Sequence, residues 1–177
     1  MSRILAFAGS NSSTSINYKL VKHTVSNLNG HSVELLDAAT MAIPMFSEDV
    51  EKTAGYPQVL KELKETIANV DSLVISVNEH NSSLSGFFKN LIDWLSRIDR
   101  NFLGDKKILL LSTSPGKRGG IGAQDTAKAI LPRFGAEIVA TFSLPSFYDN
   151  FSVDSGILDA ELKEKHQAAV YQFLAKI

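Results

Sequence analysis

The chain has 177 residues, 44% of them hydrophobic, and its 18 basic and 19 acidic side chains leave a formal charge of −1. That length and apolar content suit one compact domain over residues 1–177 and exclude a disordered tail, and the near-neutral balance excludes broad phosphate-backbone contact, so no nucleic-acid partner is expected. The absence of cysteine excludes disulfides, thiolate nucleophiles and thiolate metal sites.

The first ten residues carry one charge and a short apolar run. A secretory leader needs a longer apolar core and a cleavage site, and nowhere does the sequence approach the ~20 apolar residues of a membrane helix. The expectation is a cytoplasmic protein with no membrane partner. Ile4 to Ala8 is continuously apolar, as in a strand buried on both faces. After a turn rich in small hydroxyl residues, Ile16, Leu20, Val21, Thr24, Val25 and Leu28 recur at helical spacing, and Asn29-Gly30 supplies a stop. Ser32 to Leu36 reads as a second strand, Asp37 to Gly55 as an irregular passage, and Pro57 as the start of a helix with Leu60, Leu63 and Ile67 inward. Ser72 to Val77 is the third strand. A polar loop from Asn78 to Gly86 leads into a helix whose inner face carries Phe88, Leu91, Ile92, Leu95 and Ile98.

The fourth strand runs from Lys106 to Thr113 and enters a glycine-rich loop, Ser114 to Gly122, followed by a helix to about Phe134 that Gly135 ends. Glu137 to Phe142 is the fifth strand. The last helix, from about Asp159 to Ala175, turns Leu162, Ala169, Val170 and Phe173 inward. Five strands alternating with helices specify an α/β fold, an open parallel sheet covered on both faces, and right-handed crossovers make it doubly wound. With strand order 2-1-3-4-5, ligands bind beyond the carboxyl ends of the strands where the order reverses, between strands one and three. The unusual loops follow strands one, three and four and therefore converge on one crevice.

Each loop has a plain structural reading beside a functional one. Ser10 to Asn17 can be ordinary helix capping, worth about 1 kcal/mol, but five hydroxyls and two asparagines exceed one cap. A turn between strand and helix holds a phosphate on free N–H groups and hydroxyls, here without any lysine or arginine. The dinucleotide pattern GxGxxG is missing, since Gly9 is the only glycine of the turn, which leaves a mononucleotide phosphate as the better candidate. Asn78 to Gly86 can be a solvated loop with Ser85 capping the next helix. Alternatively, His80 offers a ring for a flat heterocycle, and Asn81 and Ser83 meet its polar edge. In Ser114 to Gly122, glycines let backbone N–H groups approach a ligand, while Lys117 and Arg118 read either as receiving the phosphate of a second nucleotide or, the favoured reading, as a solvated basic tip. The four histidines, His23, His31, His80 and His166, lie in separate elements without ligand spacing, so no metal site is expected. Trp94 reads as packing or subunit contact.

Three segments match a known pattern. Gly9-Ser10-Asn11-Ser12-Ser13-Thr14-Ser15-Ile16-Asn17 looks like the phosphate loop GSxRxxSxN, with Ser10, Ser15 and Asn17 on matching positions and Ser12 where that pattern has arginine. Asn78 to Trp94 is similar to PEYNxSxPGxLKNxIDW, with Asn78 and Ser85 in place of the prolines and His80 in place of tyrosine. Ser114 to Gly120 looks like SxGxxGG. The sequence thus resembles the NAD(P)H-dependent FMN reductases of the flavodoxin-like fold, a group that includes quinone, azo-dye and chromate reductases.

The resemblance implies an FMN whose phosphate rests on Ser10, Ser12, Ser15, Ile16 and Asn17. Its ring would lie against Glu79, His80, Asn81, Ser82 and Ser83, and its edge near Ser114, Gly116, Gly119 and Gly120. It further implies NADPH or NADH as co-substrate, a small-molecule electron acceptor such as a quinone, ping-pong turnover, and no catalytic side chain, because the flavin carries the chemistry. A homodimer or homotetramer is expected, with the helix Phe87 to Ile98, including Trp94, and the passage Met41 to Asp49 at the interface. Two other readings keep the same fold, a non-catalytic flavodoxin-like electron carrier and a binding module that has lost FMN. Carriers tend to be strongly acidic, and this chain is not.

Overall fold

The structure is a computed structural model describing all residues 1–177. Five parallel strands form the main sheet: β1 (Arg3–Ala8), β2 (Ser32–Leu36), β3 (Ser72–Val77), β6 (Lys107–Thr113) and β7 (Glu137–Leu144), in the order β2-β1-β3-β6-β7. Counting these alone, the order is 2-1-3-4-5, the expected flavodoxin-like arrangement. All four pairings are parallel, with β1 in register with β3 from Ile4 opposite Ser72 to Ala8 opposite Ser76.

Alternation of side chains along each strand divides the core into two. Leu5, Phe7, Leu73, Ile75 and Leu110 face helices α3 (Gln58–Ala68), α4 (Gly86–Ile98) and α5 (Ile121–Ile130). Ile4, Ala6, Ala8, Val74, Leu109 and Leu111 face α1 (Ile16–Val25) and α7 (Ala160–Leu174). Because both sides are covered, the middles of the central strands are continuously apolar rather than alternating, with Ser72, Ser76, Ser112 and Thr113 as buried polar residues toward their ends. Edge strand β2 is exposed along much of its length.

The passage expected to be irregular contains a one-turn 3-10 helix, Ala38–Thr40, and helix α2 (Glu48–Ala54). Ser47 caps α2 by accepting from Asp49 N, and Glu48, Asp49 and Glu51 occupy its first turn, where they complement the helix dipole. Two hairpins were invisible to periodicity because each strand has two residues: β4 (Glu79–His80) with β5 (Ser83–Leu84), and β8 (Phe151–Ser152) with β9 (Gly156–Ile157). A one-turn helix, α6 (Phe147–Asn150), precedes the second hairpin. Helix α1 stops at Val25, although Leu28 beyond it is buried, and α5 stops at Ile130 before a 3-10 turn over Leu131–Phe134.

Trp94 is fully buried inside its own chain, which removes it from any surface another subunit could reach. Its Nε1–H donates to Pro44 O at 2.8 Å, and its ring meets Phe46 edge-on at 5.1 Å. Asn90 closes the same contact, accepting from Phe46 N at 2.7 Å and donating to Pro44 O at 3.0 Å. The helix carrying Trp94 and the passage Met41 to Asp49 thus pack against each other within the chain. No helix is long and apolar enough to cross a membrane.

Candidate active site

The carboxyl ends of β1, β3 and β6 open into a cleft of about 250 Å³. A larger hollow of about 430 Å³, with Arg3, Glu34, Glu62 and Glu65 on its wall, sits at the opposite end of the sheet. In an open parallel sheet the carboxyl side is where loops and helix N-termini meet, so the smaller cleft is the functional candidate.

One wall is the turn after β1. Ser15 caps α1 by accepting from Tyr18 N at 3.2 Å, and Ser10 Oγ accepts from Ser12 N at 3.3 Å. Both hydroxyls therefore act as acceptors toward the backbone and keep their protons for another group. The N–H groups of Ile16 and Asn17 have no protein acceptor, as expected for a first helical turn, and that turn carries no acidic residue. Free N–H groups, unspent hydroxyl protons and the positive end of α1 form a donor set suited to an anion.

Asn17 is the pin beneath this wall. Its Oδ1 accepts from Ser76 Oγ at 2.7 Å and from Thr113 N at 3.1 Å, while Nδ2 donates to Thr113 O at 3.1 Å. One buried amide thus ties the start of α1 to the ends of β3 and β6. Ser85 is the second tie: it caps α4 by accepting from Phe88 N at 3.1 Å and donates to Gly9 O at 2.9 Å. Gly9 is required here for space, since a Cβ would stand 2.6 Å from the Phe88 ring.

The wall after β3 is the β4–β5 hairpin. Asn81 and Ser82 form its two-residue turn with φ of 51° and 61°, the left-handed pair that such hairpins need. The Glu79 carboxylate turns away and accepts from Ala123 N at 3.2 Å, capping α5. His80 is exposed and its Nε2 lies 3.3 Å from Asn78 Nδ2. An amide nitrogen only donates, so in that contact Nε2 is the acceptor.

Of the residues singled out in the sequence, Ser10, Ser12, Ser15, Ile16, Asn17, Glu79, His80 and Ser114 line the cleft together. Asn81, Ser82 and Ser83 lie on the hairpin beyond it, and Gly116, Gly119 and Gly120 lie on the loop after β6 without lining it. Gly119 has a local reason to be glycine. Its φ is +60°, and a Cβ would overlap Ser143 Oγ and stand 3.0 Å from the Leu144 backbone. Gly119→Ala is expected to cost about 2–4 kcal/mol from left-handed strain plus overpacking, read as a fall in urea midpoint. Adding Ser143→Ala removes the obstructing oxygen and is expected to recover part of the loss; no recovery would sink the packing explanation.

The structure adds Thr14, Asn78, Thr113, Pro115 and Tyr148 to the cleft. Tyr148 comes from α6, 33 residues beyond Pro115, the preceding residue of the cleft in the chain, and no local signal in the sequence marks it. The histidines lie in separate elements, as expected, but two of them meet across the fold: the His23 and His166 rings, from α1 and α7, lie 5.3 Å apart.

A family model described as "NADPH-dependent FMN reductase" matches residues 2–149. The quinone reductase of Escherichia coli is 34% identical over 113 residues, which cover 63% of this chain and 60% of that enzyme. The NAD(P)H-dependent FMN reductase of Pseudomonas aeruginosa is 32% identical over 123 residues, covering 69% of this chain and 65% of that one. The chain therefore spans about three fifths of the length of the curated relatives it matches. Among solved structures, the flavoenzyme NAD(P)H:(acceptor) oxidoreductase of Paracoccus denitrificans superposes with a TM-score of 0.76 at 25% identity, over 99% of this chain and 98% of that one. The family match extends from β1 through the loops after β3 and β6 to α6, and on that span the chain belongs to the NADPH-dependent FMN reductase family.

Proposed function

We propose that this chain is a flavin-dependent NAD(P)H oxidoreductase that reduces a quinone, a flavin or a similar small acceptor. Held in this cleft, FMN would supply the redox chemistry, a hydride transfer from NADPH or NADH followed by transfer of electrons to the acceptor in ping-pong order. The protein's residues bind and orient. Ser10, Ser15 and the N–H groups of Ile16 and Asn17 hold the phosphate, His80 and the hairpin that follows lie against the ring, and the Ser114–Gly120 loop meets its edge. Assembly as a homodimer or homotetramer belongs to the same reading. The observation that carries it is the set of donors at the start of α1 whose protons have no protein acceptor, facing a cleft at the point where strand order reverses.

The test is FMN titration of the purified protein by quenching of flavin fluorescence. Ser10→Asp, which adds a negative charge at the phosphate, is expected to weaken binding at least tenfold, with the melting curve recorded to separate folding from affinity. An unchanged affinity would place the phosphate elsewhere. NADH or NADPH oxidation with a soluble benzoquinone is expected to turn over without a partner protein, and its failure would favour an electron carrier.

A further inference from the structure

We propose that Tyr148 anchors the phosphate of the flavin nucleotide, its phenolic O–H supplying a donor from outside the hydroxyl-rich turn. The proposal rests on the flavin-nucleotide reading above. A phosphate monoester carries a charge of about −1.5 to −2 at neutral pH, yet neither lysine nor arginine lines the cleft. Binding then draws on hydroxyls and backbone N–H groups, so the fate of each hydroxyl proton matters.

Two cleft hydroxyls after β6 have already spent theirs. Thr113 Oγ1 donates to Leu144 O at 2.7 Å and Ser114 Oγ to Gly116 O at 3.3 Å. Ser12 and Thr14 share one hydrogen bond at 3.2 Å, which uses one of their two protons. Ser10 and Ser15 retain theirs, as described. Pro115 has no N–H to give. Along the wall built by the ends of β6 and β7, the Tyr148 hydroxyl is the side-chain donor with no partner in the protein.

The backbone beneath Tyr148 is fixed by contacts to the loop after β6. Ser146 N donates to Gly116 O at 2.9 Å and Phe147 N to Ser114 O at 3.0 Å, joining the start of α6 to the loop after β6. Asn150 Nδ2 closes the turn on Pro145 O at 3.0 Å. Ser146 is held at φ +45°, a conformation that costs a non-glycine residue about 1 kcal/mol or more and persists because these contacts impose it. Phe147 is buried, stacks on Phe151 at 4.8 Å and meets Tyr148 edge-on at 5.6 Å. Tyr148 itself is 70% exposed. Single exposed aromatics are ordinary; this one stands on a rigid turn at the rim of a polar cleft, with its hydroxyl free.

The test compares FMN with riboflavin, which has the same ring and no phosphate, by fluorescence quenching on wild type, Tyr148→Phe and Tyr148→Ala. Removing the hydroxyl alone is expected to weaken FMN about tenfold, the lower range for a hydrogen bond to a charged group, while riboflavin binding stays at the wild-type level. Tyr148→Ala is expected to match Tyr148→Phe toward FMN. If Tyr148→Phe binds FMN as wild type does, or loses both ligands equally, the hydroxyl is not a phosphate donor and the proposal falls. Wild type that binds FMN no better than riboflavin overturns the phosphate placement itself. Wild type that binds neither overturns the flavin reading together with this proposal.

Discussion

Between pH 6.5 and pH 4 the folded chain is expected to lose about 3 kcal/mol of stability through one side chain, His166. The residue is 2% exposed, and burial, followed by the neighbouring His23, pushes its pKa from 6.5 down to about 4. The imidazole therefore stays largely neutral in the folded chain until the pH approaches 4, whereas in the unfolded chain it takes up a proton below its ordinary pKa. The unfolded state then binds more protons than the folded one, so acid favours unfolding. The contribution is complete above pH 6.5 and is lost as the pH falls through 4.

Local hydrogen bonding explains why the ring resists a second proton. The single proton of Thr24 Oγ1 goes to Leu20 O at 2.9 Å, so its oxygen must accept from His166 Nε2–H, also at 2.9 Å. Nδ1 is the remaining site for a proton, in a setting that includes the Phe142 ring at 5.1 Å and the His23 ring at 5.3 Å. His23 is itself held below its ordinary pKa by burial and then by Lys163, so no carboxylate compensates. His166→Gln retains a donor for Thr24 and removes the titration. Urea midpoints measured from pH 4 to 7 should fall more steeply with acid in wild type than in the variant. Equal slopes would assign the acid response to carboxylates.

What could be read from sequence follows the range of the forces involved. Leu5, Ile75 and Leu110 sit in strands buried on both faces, so apolar runs marked the central strands β1, β3 and β6, while edge strand β2 showed only a short mixed segment; the order 2-1-3-4-5 came with the doubly wound class. The convergence of the turns after β1, β3 and β6 followed from that order. Contacts spanning many residues left no periodic trace. Glu79 reaches Ala123 across 44 residues and Trp94 reaches Pro44 across 50, and in each case a polar residue that looked available was spent on the chain's own backbone. The β4–β5 hairpin is too short for a strand pattern, although Asn81-Ser82 tolerate the positive φ of its turn. The Ser47 cap with acidic residues after it could have revealed α2. Tyr148 had no such signal, because its place at the cleft depends on how α6 is fastened to the loop after β6.

Asn17→Ala is expected to be the most damaging single change at the cleft, costing about 3–5 kcal/mol and, for a chain of this size, on the order of 10 °C in melting temperature. The magnitude comes from what is left behind. Thr113 N–H, Thr113 C=O and Ser76 Oγ all use Asn17 as partner, and both residues are essentially inaccessible to water. Each orphaned group bears a desolvation cost of about 1–3 kcal/mol, partly relieved by relaxation or by water entering the gap. Asp at this position keeps the acceptor for Ser76 and Thr113 N but sets a second oxygen against Thr113 O, so it is not expected to rescue. The same side chain aligns the turn after β1 with the ends of β3 and β6, so FMN affinity should fall together with stability. Thermal melts and FMN titrations on the variant decide between pin and ligand. A wild-type melting temperature with weakened FMN binding would make Asn17 a direct phosphate contact, whereas a joint loss is what an internal pin requires.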